Sequence, residues 1–75
     1  MNKARRREIE KAIALMEQAR EILEEVKDEE QNAFDNMPEN LQSSERGETM
    51  EDYIYTLEEF IGNLDTDELQ EIVDA

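Results

Sequence analysis

The chain has no cysteine and no histidine, one proline, two glycines and an aromatic fraction of only 5%. Without cysteine there is no disulfide to staple a short chain and no thiolate site. Without histidine the commonest metal ligand and general base is missing. Gly47 and Gly62 alone cannot build a glycine-rich phosphate loop. Ser43, Ser44, Thr49, Thr56 and Thr66 have no histidine to activate them, and Lys3, Lys11 and Lys27 fall on a helical pattern with no desolvating pocket in view. The expectation is a non-enzyme with no cofactor. No apolar run reaches the roughly 18–20 residues of a membrane span, and none resembles the apolar core of a signal peptide. The short basic start, Lys3-Ala4-Arg5-Arg6-Arg7, leads into a helix with many glutamates, which argues against a secretory or organellar leader. A cytoplasmic protein without a membrane partner is expected.

At 75 residues and 37% hydrophobic content, a lone domain buries little surface and is marginal unless it associates. Long helices sharing a seam suit this composition better than a globular core, so a homo-oligomer is expected. The formal charge of −14 is uneven. Residues 1–27 carry seven of the eight basic residues against six acids, whereas residues 28–75 carry Arg46 against sixteen acids. Phosphate would be repelled by most of the chain, so direct nucleic-acid binding is not expected. Two partner classes fit: a basic protein surface facing the acidic part, or a small anion held by the arginines.

Periodicity predicts an all-α single domain: a long helix, a polar turn, a second helix and a short C-terminal helix, forming a helical hairpin that packs as a homo-oligomer. The first helix is expected over about residues 2–35. Ile9, Met16 and Leu23 recur every seven residues, as do Ala12, Ala19, Val26 and Ala33 three places on, giving heptad a and d positions. Ile13, Leu15 and Ile22 flank that seam and widen it toward a multi-helix bundle. Pro38 ends the helix and opens a turn over about 36–43, with Ser43 or Ser44 capping the next helix. That second helix, about 44–62, carries a stripe of Met50, Tyr53, Ile54, Leu57, Phe60, Ile61 and Leu64, and Gly62-Asn63 supply its stop. A third helix, about 66–74, is expected to start from a capping box of Asp65 and Glu68, with Leu64 and Leu69 as the hydrophobic staple.

The acids do not assemble into chemistry on spacing alone. Asp65-Thr66-Asp67-Glu68 lacks the glycine at the sixth position that a calcium loop needs, so capping is the better reading and no metal site is expected. Glu24-Glu25, Glu29-Glu30 and Glu58-Glu59 are adjacent pairs that point in different directions on a helix and make no acid/base dyad. Arg5, Arg6 and Arg7 are more informative. Positive charge at a helix N-terminus opposes the macrodipole, which a bound anion would relieve, and copies in an oligomer could bring several such clusters together. Tyr55 falls off the apolar stripe and is placed to stack on a ligand or anchor a contact. The plain alternatives are a solubilising helix terminus and an incidental surface aromatic.

The stretch from Asp28 to Met50, DEEQNAFDNMPENLQSSERGETM, resembles a block found in short uncharacterised acidic helical proteins of bacterial phages and mobile elements. The likeness rests on Glu30-Gln31, Phe34-Asp35-Asn36-Met37-Pro38-Glu39 and Ser44-Glu45-Arg46-Gly47-Glu48. That group implies no activity and assigns no residue a role. In size and helical-hairpin character the chain also resembles phage anti-defence sponges, oligomers that trap cyclic nucleotide immune signals between subunits. The resemblance implies sequestration of a nucleotide-type anion; the residues that the sequence itself offers for it are Arg5, Arg6 and Arg7 for phosphate and Tyr55 for stacking. The rival expectations are an acidic, DNA-mimic-like inhibitor of a basic host protein, acting through acids such as Glu51, Asp52, Glu58 and Glu59, and a structural coiled coil with no ligand.

Overall fold

The computed structural model describes all residues, Met1–Ala75, and is entirely helical outside short connections. Four helices follow in order: α1 (Lys3–Asp35), α2 (Glu39–Gln42), α3 (Glu45–Asn63) and α4 (Asp67–Asp74). The 33 residues of α1 contain no glycine or proline, and at about 1.5 Å per residue they span about 50 Å, most of the 58 Å length of the molecule. Asn2 starts the helix by accepting the Arg5 amide at 2.9 Å. Pro38 stops it. The chain then takes one tight turn of helix, α2, because the Pro38 carbonyl accepts from both Leu41 and Gln42. A reading of this segment as turn alone misses that hydrogen-bonded unit.

Ser44 caps α3, its hydroxyl oxygen accepting from the Gly47 amide at 3.3 Å. Ser44→Ala is expected to cost about 1 kcal/mol in urea denaturation, and Ser44→Gly only a few tenths. The far end of α3 departs from the sequence expectation. The helix runs through Gly62 to Asn63, and no glycine has positive φ, so Gly62 is a helical residue and not a left-handed stop. The capping box at α4 is also replaced. Asp65 Oδ1 takes the Asp67 amide at 2.8 Å, and the Asp65 amide itself is taken by the Asn63 carbonyl at 3.0 Å, so Glu68 is not needed to reach back. Thr66 occupies the cap position of α4 without a side-chain bond and is buried.

Both α3 and α4 lie against α1. Lys27 Nζ stands 3.9 Å from Glu58 Oε1, and the Arg20 guanidinium donates to the Leu64 carbonyl. Numbers fall along α3 as they rise along α1, so the two run antiparallel. The result is a two-helix layer 15 Å by 13 Å in section. Its radius of gyration of 17.7 Å compares with roughly 11 Å for a compact chain of this length.

The seam differs from the heptad reading by one flank. On α1 the residues turned toward α3 and α4 are Ile9, Ile13, Met16, Arg20, Leu23, Lys27 and Phe34, all buried or half-buried. Ile9, Met16 and Leu23 are there as expected, but Ala12, Ala19, Val26 and Ala33 are exposed. Arg20 and Lys27 take the intervening places because their aliphatic stems cover the seam while their heads reach polar partners at its edge. On α3 the seam is Gly47, Met50, Ile54, Leu57, Ile61 and Leu64, whereas Tyr53 and Phe60 stand 60% and 58% exposed.

Only Ile13 and Ile54 are buried apolar side chains. Of 59 backbone hydrogen bonds, 48 lie within helices and the rest in turns and caps, so the helices are tied to one another through side chains. Helices of this kind draw most of their stability from packing an apolar face. One chain leaves that demand largely unmet.

Candidate functional site

The three arginines stand in the first two turns of α1. The first turn holds no acid, so their charge is set against the positive end of the helix dipole. The nearest acid is already engaged: Glu8 Oε1 pairs with Lys11 Nζ at 3.4 Å. The only other ion pair in the chain is Lys27–Glu58, so none of Arg5, Arg6 and Arg7 has a carboxylate partner. Arg5 and Arg7 are exposed. Arg6 is half-buried, and its Nε is shielded from water with no hydrogen-bond partner. A buried, unsatisfied donor on a charged group is costly.

Consecutive helical residues are about 100° apart, so the three guanidiniums leave α1 in three directions. Arg5 lines a shallow hollow with Met1, Asn2, Ala4, Glu8 and Ile9. Arg6 points toward the seam side and Arg7 away from it. One chain alone therefore presents a charged tip and not a closed pocket.

Tyr55 is not brought to that tip. It lies on α3 near the Lys27–Glu58 pair, about 30 Å from Arg7 by the helical rise between Arg7 and Lys27. Its side chain is 61% exposed and its hydroxyl donates to Glu59 at 3.0 Å. A carboxylate beside the ring disfavours an anion at that spot. Within one chain, then, Tyr55 and the arginines are separate features.

The opposite end of the molecule is acidic. A second hollow, between the end of α1, α2 and the start of α3, is lined by Phe34, Glu39, Asn40, Gln42, Ser43, Glu48 and Glu51. Gln42 shapes it by donating to the Phe34 and Met37 carbonyls at 3.0 and 3.2 Å. A third hollow, at the α3–α4 junction, holds Glu17, Arg20, Glu24 and Asp65 around the Arg20–Leu64 bond. No three acidic side chains gather in a metal-binding arrangement. The hydroxyls serve the backbone: Ser43, Thr49 and Thr56 each donate to the carbonyl four residues back, at 3.0, 3.0 and 2.9 Å.

Sequence reasoning missed the outward turn of Tyr53 and Phe60, and it missed Gly47, which is buried under α2. The flanking position of Ser44-Glu45-Arg46-Gly47 hinted at a cap but not at a close approach. No helix is long and apolar enough to cross a membrane. Comparison with protein-family models, with curated proteins and with solved structures gives no match.

Proposed function

We propose that the chain is a non-enzymatic binding protein that works as a homo-oligomer of helical hairpins and holds a small anionic ligand of nucleotide type at its arginine-bearing tips. The observation that carries this reading is the set of Arg5, Arg6 and Arg7, which stand without a carboxylate partner on a chain of net charge −14. Acids outnumber bases almost three to one, yet none makes an ion pair with these three arginines. Guanidinium forks match phosphate oxygens, so a phosphorylated ligand is the natural complement. With the resemblance of the Asp28–Met50 block to phage proteins, the biological role proposed is sequestration of a nucleotide immune signal in the host cytoplasm.

Native mass spectrometry with a panel of cyclic nucleotides tests this directly, and a discrete nucleotide mass on the assembly is expected. Charged hydrogen bonds contribute about 1.5–3 kcal/mol each, so Arg5→Gln, Arg6→Gln and Arg7→Gln together should weaken binding at least about 1,000-fold. Helicity should stay intact. Unchanged affinity in the triple variant would remove the arginines from the site. Tyr55→Ala separates the tyrosine's part: a loss of binding there requires another copy to bring it to the tip.

A second reading is favoured by the acidic hollow of Glu39, Glu48 and Glu51, next to the exposed Asp52. That surface suits a basic protein partner. Charge reversal at Glu48, Glu51 and Asp52 should then abolish capture of the partner, and capture should weaken steeply with salt.

A further inference from the structure

We infer that the broad face carrying Leu15, Ile22 and Val26 of α1, Tyr53 and Phe60 of α3, and Ile72 of α4 is a dimer interface, on which a second copy lies antiparallel to form a four-helix bundle. The inference rests on the homo-oligomer part of the reading above and is independent of its ligand.

These six side chains are between 37% and 65% exposed. They are not scattered. At about 100° per residue, Ala12, Leu15, Ala19, Ile22 and Val26 form one stripe about 90° round α1 from its seam. Tyr53 and Phe60 lie about 75° round α3 from its seam, and Ile72 about 90° round α4, in the same rotational sense. Because α3 and α4 run opposite to α1, equal rotations carry both sets to the same side of the layer. One face is therefore apolar along most of its length.

Its size fits a dimer. The layer is 58 Å long and 15 Å wide, close to the roughly 800 Å² per partner of a standard interface. Its texture fits as well. The stripe on α1 follows alternating spacings of three and four residues, the pattern by which two helices interdigitate. Ala12 and Ala19 leave gaps beside Leu15, Ile22 and Val26. When Ala19 faces the partner's Ile22, Leu15 faces the partner's Val26, so one register sets a small residue against a large one at one level and two branched aliphatic side chains against each other at the next.

Charge selects the direction. Lys3, Arg5, Arg6 and Arg7 form a basic tip at one end, ahead of the acids of α4 (Asp67, Glu68, Glu71 and Asp74) that lie along α1, whereas Asp28, Glu29, Glu30, Asp35 and Glu39 crowd the other end with no such basic tip. Face-to-face pairing about a twofold along the helices would stack like ends on like ends. A twofold across the helices sets the basic end of each copy over the acidic end of its partner, with Arg5 level with the partner's Asn36, beside Asp35 and Glu39. Stacking the two acid-rich ends on each other is repulsive, and the transverse axis avoids this while setting each basic tip against its partner's acids, so it is the axis the charges favour. The two arginine tips then lie at opposite ends of the dimer, and any ligand is held at two separate tips and not by six converging arginines.

The native chain has no cysteine, so a single Lys3→Cys variant carries one spin label per copy at an exposed site outside the proposed anion-binding set. Sedimentation equilibrium should give the mass of two chains. Pulsed electron paramagnetic resonance should give a label separation of about 50 Å, from about 35 residues of helical rise across the twofold. A separation under about 25 Å would mean like ends together and would overturn the antiparallel dimer while leaving the homo-oligomer standing. A mass of one chain across the concentration range would overturn both. A nucleotide panel without binders would touch neither, since the apolar face carries the dimer whether or not the arginines hold an anion.

Discussion

Replacing both Leu15 and Ile22 with glutamate is expected to break the assembly apart and to melt most of the helix content at micromolar protein. The two side chains are 65% and 61% exposed in the chain, and glutamate is as good a helix former as leucine. If the chain worked alone, the double change would be nearly silent, within about 0.5 kcal/mol per site as for other surface substitutions. In the antiparallel dimer each position is buried twice by symmetry. Each lost side chain forfeits about 1.5–3 kcal/mol of burial, before the added cost of drying four carboxylates. The total is on the order of 6 kcal/mol or more, which corresponds to at least about 10,000-fold in the dissociation constant. Because one chain buries only two apolar side chains, the separated chain should also lose much of its circular dichroism. Gln18→Glu, on the same helix but off the stripe, is the control and should change neither mass nor melting. A double variant that sediments and melts like the native chain would rule the face out as an interface.

The same numbers explain what was legible in the sequence. Helix type was legible because 33 residues without glycine or proline leave a chain little else to do, and because Pro38 and Ser44 act through the backbone whatever the tertiary structure. The facing of the helices was less so. An apolar count on α1 selects two overlapping stripes, and the count alone ranks the alanine and Val26 stripe above one that contains Arg20 and Lys27. The structure chooses the latter because Arg20 reaches the Leu64 carbonyl and Lys27 reaches Glu58. These bonds exist only once α3 lies alongside, so no local pattern announces them. Tyr53 and Phe60 read as seam residues in the sequence for the converse reason: i, i+3, i+4 spacing marks an apolar arc, and this arc is wide enough to serve two neighbours of which one chain supplies only the first.

The candidate site was legible as charge and not as geometry. Arg5, Arg6 and Arg7 stand out in any reading of a chain with 22 acids, and their place ahead of any acid in α1 follows from the sequence alone. Their separation from Tyr55 does not, because it depends on where α3 turns back. That turn is set by the four residues of α2, whose carbonyls and Gln42 side chain fix the spacing between the helices. A helix start and an off-stripe aromatic can be named from sequence, but the distance between them is a property of the connection.

That connection makes the second large effect a matter of sign. Gly47 and Gly62 both sit inside α3 with ordinary helical backbone, and intrinsic propensity says that alanine at either should stabilise by roughly 0.5–1 kcal/mol. Gly62→Ala should do so, since an added Cβ meets nothing within 4 Å. Gly47→Ala should do the reverse. Its Cβ would fall on the Gln42 carbonyl and 2.6 Å from the Leu41 oxygen, both of them backbone. The α2 turn has little room to retreat: the Gln42 side chain is held by the Phe34 and Met37 carbonyls, Ser43 by Glu39, and the Ser44 hydroxyl by Leu41. Forcing a methyl into such a contact costs about 1–3 kcal/mol or more, which exceeds the propensity gain. In urea denaturation followed by far-UV circular dichroism at one protein concentration, the two variants should move the midpoint in opposite directions, Gly62→Ala upward and Gly47→Ala downward by the larger amount. If both moved upward, α2 would not rest on the first turn of α3, and the acidic hollow between them would lose its wall.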